Sequence, residues 1–132
     1  MWINKGKNAS YNFTAPEIAE DADKQVNVMF PTVGVKSVTL SSNAATVVVE
    51  RTTTIVDLGS DALAAAATLT LTPGDNLPAG AEVLVKWVNG GTKYDITVKK
   101  DASTTVGTLV GVANTTVTKR VVWSGSAWLI VS

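Results

Sequence analysis

Apolar and polar residues alternate along much of this chain with the period of two that is typical of β-strands. The alternation is clearest from Glu82 to Lys99, where EVLVKWV and KYDITVKK flank the turn residues NGGT. A four-residue loop at 89–92 sets apolar residues against apolar residues and Lys86 against Asp95, whereas shorter loops bring Lys against Lys or an aliphatic residue against Asp95. This predicts an antiparallel hairpin with a buried face formed by Val83, Val85, Trp87, Tyr94, Ile96 and Val98.

The closing residues, TTVTKRVVWSGSAWLIVS, predict a second hairpin. A loop around Gly125 and Ser126 sets Trp123 against Trp128 and continues apolar pairing into the residues on either side. Near that loop, apolar residues occupy both faces of the strands, as they do in a central strand pair or where one face lies against another subunit. We therefore leave two roles open for Trp123 and Trp128, core packing and a subunit interface.

Further strands are expected in VNVMF (26–30), VGVKSVTL (33–40) and ATVVVERTTTIVDL (45–58), and in ATLTLT (67–72) after a loop or single helical turn. Val47, Val48 and Val49 in succession indicate a strand covered on both faces. Gly107 and Gly111 indicate a bulge or a close backbone approach. With 20 Val and 18 Thr, the sequence predicts an all-β domain over 26–132, an antiparallel β-sandwich resembling a jelly roll with about eight to ten strands.

Residues 1–25 show no strand or helix periodicity and are predicted to form an irregular N-terminal arm. Aromatic and aliphatic residues are unusual in a flexible tail, so those in this arm suggest a segment that orders against its own domain or a neighbouring subunit. We predict that the arm binds a partner through Trp2, Ile3, Tyr11 and Phe13.

Eleven basic residues balance eleven acidic ones, which argues against binding to nucleic acid or an anionic membrane. The chain has no His and no Cys, so it lacks the usual general base, thiol nucleophiles and Cys/His zinc sites. Asp57, Asp61 and Asp75 do not follow a calcium-loop spacing. We expect no catalytic residue, no cofactor and no metal site. No apolar run has the length of a membrane span or a signal peptide.

The second half of the chain resembles the small β-rich modules of tailed-bacteriophage virion proteins, such as capsid decoration proteins, head fibres and fibre tips. The resemblance rests on ALAAAATLTLTPGDNLPAGAEVLVKW, GTKYDITVKK, GTLVG and VWSGSAWLIVS. It implies a non-enzymatic structural protein of the virion, assembled in the host cytoplasm as a homotrimer and contacting the major capsid protein or another virion protein. The arm is not covered by the resemblance.

Two other function classes remain open from the sequence. A carbohydrate-binding or adhesive module would stack exposed Trp rings on a host-surface glycan. An enzyme would need a pair of carboxylates across a cleft, and no catalytic motif marks such a pair.

Overall fold

The computed structural model describes residues 32–132; the predicted arm, with Trp2, Ile3, Tyr11 and Phe13, and the predicted strand at 26–30 lie outside the described residues. Within 32–132 the chain forms nine strands and no helix, which confirms the all-β prediction. The strands are β1 (Val33–Ser37), β2 (Ala44–Val49), β3 (Thr53–Ala62), β4 (Ala67–Pro73), β5 (Glu82–Asn89), β6 (Ile96–Lys99), β7 (Thr105–Leu109), β8 (Thr115–Trp123) and β9 (Trp128–Ile130).

The strands form a five-stranded sheet with the order β1-β3-β5-β8-β9 and a four-stranded sheet with the order β2-β4-β6-β7. From β1 to β6 the chain passes alternately between the sheets, so each strand is parallel to the strand two positions further along. The pairs β5–β8, β6–β7 and β8–β9 are antiparallel. The first six strands are thus joined to one another by parallel pairs, whereas β7, β8 and β9 add antiparallel pairs. The antiparallel jelly-roll prediction is not confirmed.

One hydrophobic core collects the inward-facing side chains of both sheets. Buried and half-buried residues alternate throughout β5 and over residues 67–72 of β4, as expected for strands with one face against the core. Burial of each large aliphatic side chain contributes about 1.5 to 3 kcal/mol to the stability of the fold. The fully buried set contains Trp87, Leu69, Leu71, Ile96, Leu109, Val49, Val56, Val83, Val85, Val98 and Val121.

The predicted hairpin at 82–99 is wrong, because β5 lies in the five-stranded sheet and β6 in the four-stranded sheet. Its buried face was identified correctly apart from Tyr94, which is half-buried. The connection at 90–95 carries the chain from one sheet to the other, and the Trp87 indole NH and the Asn89 amide both donate to the Tyr94 carbonyl, at 3.2 and 3.1 Å. Alternation therefore identifies which side chains are buried but not which strand is the neighbour.

The predicted C-terminal hairpin is confirmed in its register. Trp123 lies opposite Trp128, Val122 opposite Leu129 and Val121 opposite Ile130. The Ser124 hydroxyl accepts a hydrogen bond of 3.0 Å from the Ala127 amide, and Gly125 takes a positive φ of 103° that favours glycine. The short loop fixes this register locally.

Two smaller predictions concern Val48 and the glycines near β7. Val48 is 43% exposed while Val47 and Val49 are buried, so the prediction that this strand is covered on both faces is wrong. Strand β2 is an edge strand with one face on the core.

The register between β6 and β7 shifts between the partners of Val98 and Lys99, beside Gly107, which agrees with a bulge. At Gly111 the backbone approaches the Tyr94 carbonyl so closely that a Cβ atom would clash with it. The strand predicted from residue 67 is confirmed as β4.

Candidate interaction surface

The two tryptophans with open roles, Trp123 and Trp128, are only 6% and 4% exposed. Their ring centroids lie 5.0 Å apart with an interplanar angle of 57°, and the Trp128 indole NH donates to the Leu71 carbonyl at 2.8 Å. Core packing within one chain therefore accounts for both rings. Burial leaves them little surface for a neighbouring subunit, and we do not propose them as an interface. Trp87 is fully buried, as the sequence predicted.

The outward side chains of the four-stranded sheet are mostly threonines, which suit a solvent-facing strand surface. In this sheet Thr68 lies beside Thr97, and Thr97 lies beside Thr108. The exposed large apolar side chain on this face is Val48. The threonines are Thr46, Thr68, Thr70, Thr72, Thr97, Thr105 and Thr108.

The outward face of the five-stranded sheet is different, because it carries apolar residues on all five strands and just beyond β9. Strand register places Val35, Ile55 and Leu84 side by side, with Arg120 next in the same row. The neighbouring row joins Val122 to Leu129. We call the apolar residues of this face the apolar band; they are Val33, Val35, Ile55, Leu84, Val122, Leu129 and Val131.

Several members of the apolar band are strongly exposed. Val33 and Val35 are 63% and 66% exposed, and Leu129 and Val131 are 54% and 50% exposed. Single apolar residues on a surface are ordinary, but several exposed apolar residues grouped on one face mark an interaction surface. The contrast between the two outer faces of one domain makes the five-stranded sheet the candidate.

Two ion pairs lie on the same face, and in each pair both residues belong to the same chain. Arg120 contacts Glu82 at 3.3 Å, and Lys86 contacts Asp57 at 3.2 Å. The pKa of the Asp57 carboxyl is lowered from its ordinary value, first by the hydrogen bond from the Gly59 amide and then by Lys86. These pairs leave the face locally neutral.

Strand β1 forms one edge of the five-stranded sheet. The Thr53 amide donates to the Thr32 carbonyl and the Val38 amide donates to the Asp57 carbonyl, both at 2.9 Å, so Thr32 and Val38 direct these groups toward β3. By the alternation of a parallel ladder, the backbone groups of Val33 and Val35 point away from β3. The most exposed apolar side chains therefore belong to a strand edge that no residue of 32–132 covers.

An open groove of about 500 Å³ lies between residues 37–43 and the bulged end of β3. Aliphatic side chains and hydroxyl groups line it, with Asp61 as the carboxylate. No aromatic ring from the described residues lines this groove, so it lacks the stacking surface on which sugar-binding sites rely.

Residues 32–132 contain no group of three or more His, Cys, Asp or Glu side chains placed to hold a metal ion. Of the three aspartates considered for calcium, Asp57 is already engaged by Lys86.

The apolar band was found only in part from the sequence. Apolar residues on both faces of the closing hairpin indicate either a central strand pair or a subunit contact, and this signal applies to Val122 and Leu129. The run Val83-Leu84-Val85 in β5 carries the same signal, because Leu84 lies on the face opposite the buried side chains of its two neighbours. Ile55 and Val35 become neighbours of Leu84 through parallel pairing, which local alternation does not reveal.

No helix in the described part of the chain is long and apolar enough to cross a membrane. Comparisons of the chain with protein-family models, with curated proteins and with solved structures found no match.

Proposed function

We propose that this chain is a structural subunit of a tailed-phage virion that decorates or extends the capsid as a homotrimer. In this proposal the N-terminal arm attaches the subunit to the major capsid protein or another virion protein, and the β-domain provides the contacts between subunits. The chain performs no catalysis in this role and is located in the virion.

The apolar band on the five-stranded sheet is the observation that supports this proposal best. A subunit that assembles with copies of itself needs one face that loses water on association and others that remain in water. The band and the threonine-covered face of the other sheet provide that division. The resemblance of residues 63–132 to phage virion modules supports the phage particle as the place where the subunits assemble.

The carbohydrate-binding alternative has less support from the described residues. Trp87, Trp123 and Trp128 are buried in the core, so none of these rings is available to stack on a sugar. Binding of the purified protein to a glycan array, retained when residues 1–25 are removed, would favour the alternative over the virion proposal.

The test of the virion proposal is a binding assay with capsids of the phage that encodes the chain. The full chain should co-sediment with capsids that lack it, and residues 26–132 should remain folded but stay in the supernatant. Within the arm, Trp2→Ala combined with Phe13→Ala should reduce binding, because these large rings would bury the most apolar area at a contact.

A matched arm variant, Asn4→Ala combined with Asn8→Ala, controls for substitution in the arm as such and should bind as the full chain does. Retention of binding by residues 26–132 would contradict the arm assignment. Failure of the full chain to bind any capsid of that phage would contradict the virion proposal.

A further inference from the structure

We infer that the two ends of the apolar band bind each other between neighbouring copies of this chain, so that the five-stranded sheet is the subunit interface. This inference rests on the proposed function for the existence of an assembly, and it assigns the surface and the partner. The partner is a second copy of the same chain.

The apolar band has two parts that lie toward opposite edges of one sheet. The first part consists of Val33 and Val35 on β1 with Ile55 and Leu84 on the next two strands; we call it the β1 patch. The second part consists of Val122, Leu129 and Val131; we call it the β9 patch. Thr53 and the Glu82–Arg120 ion pair lie between the two patches.

The charges of this face favour a second copy as the partner. Glu82 is paired with Arg120 and Asp57 with Lys86, so the strand residues of this face within 32–132 present no unpaired charge that a different charged partner would neutralise. Two copies can approach without bringing unpaired like charges together, which would cost free energy at an interface.

The placement of the patches favours contact of the β1 patch with the β9 patch. Contact between opposite edges can form twice in a two-fold dimer, or once with each neighbour in a closed ring. In both arrangements every copy covers both of its patches. A contact between β1 patches alone would leave Leu129 and Val131 in water.

The size of the face sets the expected strength of association. Five strands about 4.8 Å apart, each contributing about 13 to 17 Å of length, give a face of roughly 300 to 400 Å² in projection. This is smaller than the roughly 800 Å² per partner of a standard stable interface. Association through this face should therefore depend on protein concentration, with dissociation in the micromolar range or weaker.

The test uses the full chain in sedimentation equilibrium over a wide concentration range. Val35→Lys and Leu129→Lys place a charge in one patch each and should weaken association at least about tenfold. The matched control is Val48→Lys, which introduces the same charge at an exposed valine of an edge strand in the other sheet and should associate as the wild type does. Thermal unfolding of each variant checks that the fold is retained.

A charge exchange tests which patches meet. The double variant Val35→Lys with Leu129→Glu places opposite charges where the β1 patch of one copy meets the β9 patch of the next, and it should recover association lost in Val35→Lys alone. Val35→Lys with Leu129→Lys should remain dissociated. Recovery should disappear at high salt, because the new contact is an exposed ion pair.

If Val35→Lys fails to fold, Val33→Lys replaces it as the probe of the β1 patch, because Val33 lies on β1 and is strongly exposed. Equal association of wild type, Val35→Lys and Leu129→Lys would overturn the inference, as would equal loss in Val48→Lys. A wild type that is monomeric at every concentration would also overturn it. Since capsid binding by the arm is measured separately, a monomer that binds capsids would reject this interface without rejecting the virion role.

Discussion

The Trp128 indole NH donates a hydrogen bond of 2.8 Å to the carbonyl of Leu71. Trp128 begins the edge strand of the five-stranded sheet, and Leu71 lies within the four-stranded sheet. Both side chains are buried, so this bond joins the two sheets inside the core. It gives the last strand of the chain a specific anchor in addition to its apolar contacts.

Trp128→Phe should lower the free energy of unfolding by about 1 to 3 kcal/mol, because it leaves a buried carbonyl without this donor and removes part of a buried ring. Urea unfolding monitored by far-UV circular dichroism measures the change. Trp123→Phe is the matched control, since it removes a similarly buried indole from the same pair without removing the bond to Leu71. A smaller loss in Trp128→Phe than in the control would contradict this role of the hydrogen bond.

Gly111→Ala should destabilise the fold by about 1 to 3 kcal/mol, because its Cβ atom would overlap the backbone carbonyl of Tyr94 and the side-chain amide of Asn89. The free energy of unfolding of this variant is compared with that of Gly91→Ala, where a Cβ atom would have no neighbour within 4 Å. That control should be neutral or slightly stabilising, since alanine restricts the unfolded chain. Equal stability of the two variants would show that the loop at 110–112 adjusts without cost.

Thr54→Val should raise the free energy of unfolding by about 1 kcal/mol. Thr54 is 1% exposed, and within residues 32–132 its buried hydroxyl has no hydrogen-bond partner. Valine has a similar shape and removes the unpaired polar group. Thermal unfolding should show a higher midpoint than the wild type, whereas Thr70→Val, on the outward face, should change it little. A lower midpoint for Thr54→Val would mean that the hydroxyl has a stabilising partner.

The Asp101 carboxylate should contribute to the loss of stability at acid pH. Its pKa is lowered from 3.8, chiefly by the hydrogen bond from the Ser103 amide and also by the hydroxyls of Thr104 and Ser103. A lowered pKa in the folded state means that the contribution is present above the ordinary pKa and is lost as the pH falls through the folded value.

Asp101→Asn keeps the shape of the side chain and an acceptor oxygen but removes the charge. Thermal midpoints measured from neutral pH downward should therefore fall less steeply in this variant than in the wild type. Parallel curves for the two proteins would contradict a contribution from Asp101.

The outcome for the two predicted hairpins shows what the sequence determines. For Trp123 and Trp128, a four-residue loop closes the strand pair, and the register was predicted correctly. At 82–99, pairings of about 0.2 to 1 kcal/mol each favoured a hairpin, yet β5 gains more pairings with β3 and β8. Lys86 accordingly pairs with Asp57, and Asp95 accepts a bond from Gly111.

The same distinction applies to the candidate surface. Which side chains are buried follows from local alternation, so Val83, Val85 and Trp87 were assigned to the core correctly. Which outward side chains form a contiguous patch depends on the strand order, because Val35 and Leu84 are far apart in sequence and are linked only through β3. The patch could not be assembled before the parallel order was known.

The alternation of the first six strands between sheets also governs the order of folding during synthesis. No two consecutive strands from β1 to β6 are neighbours in a sheet. Strand β1 can therefore pair only after β3 has been synthesised, and β2 only after β4. Such non-local pairing slows folding to the range of milliseconds to seconds for a domain rich in strands. The β9 patch and Trp128 follow the other described strands in the chain, so in the proposed assembly a nascent chain would lack one of its two patches until β9 has been synthesised.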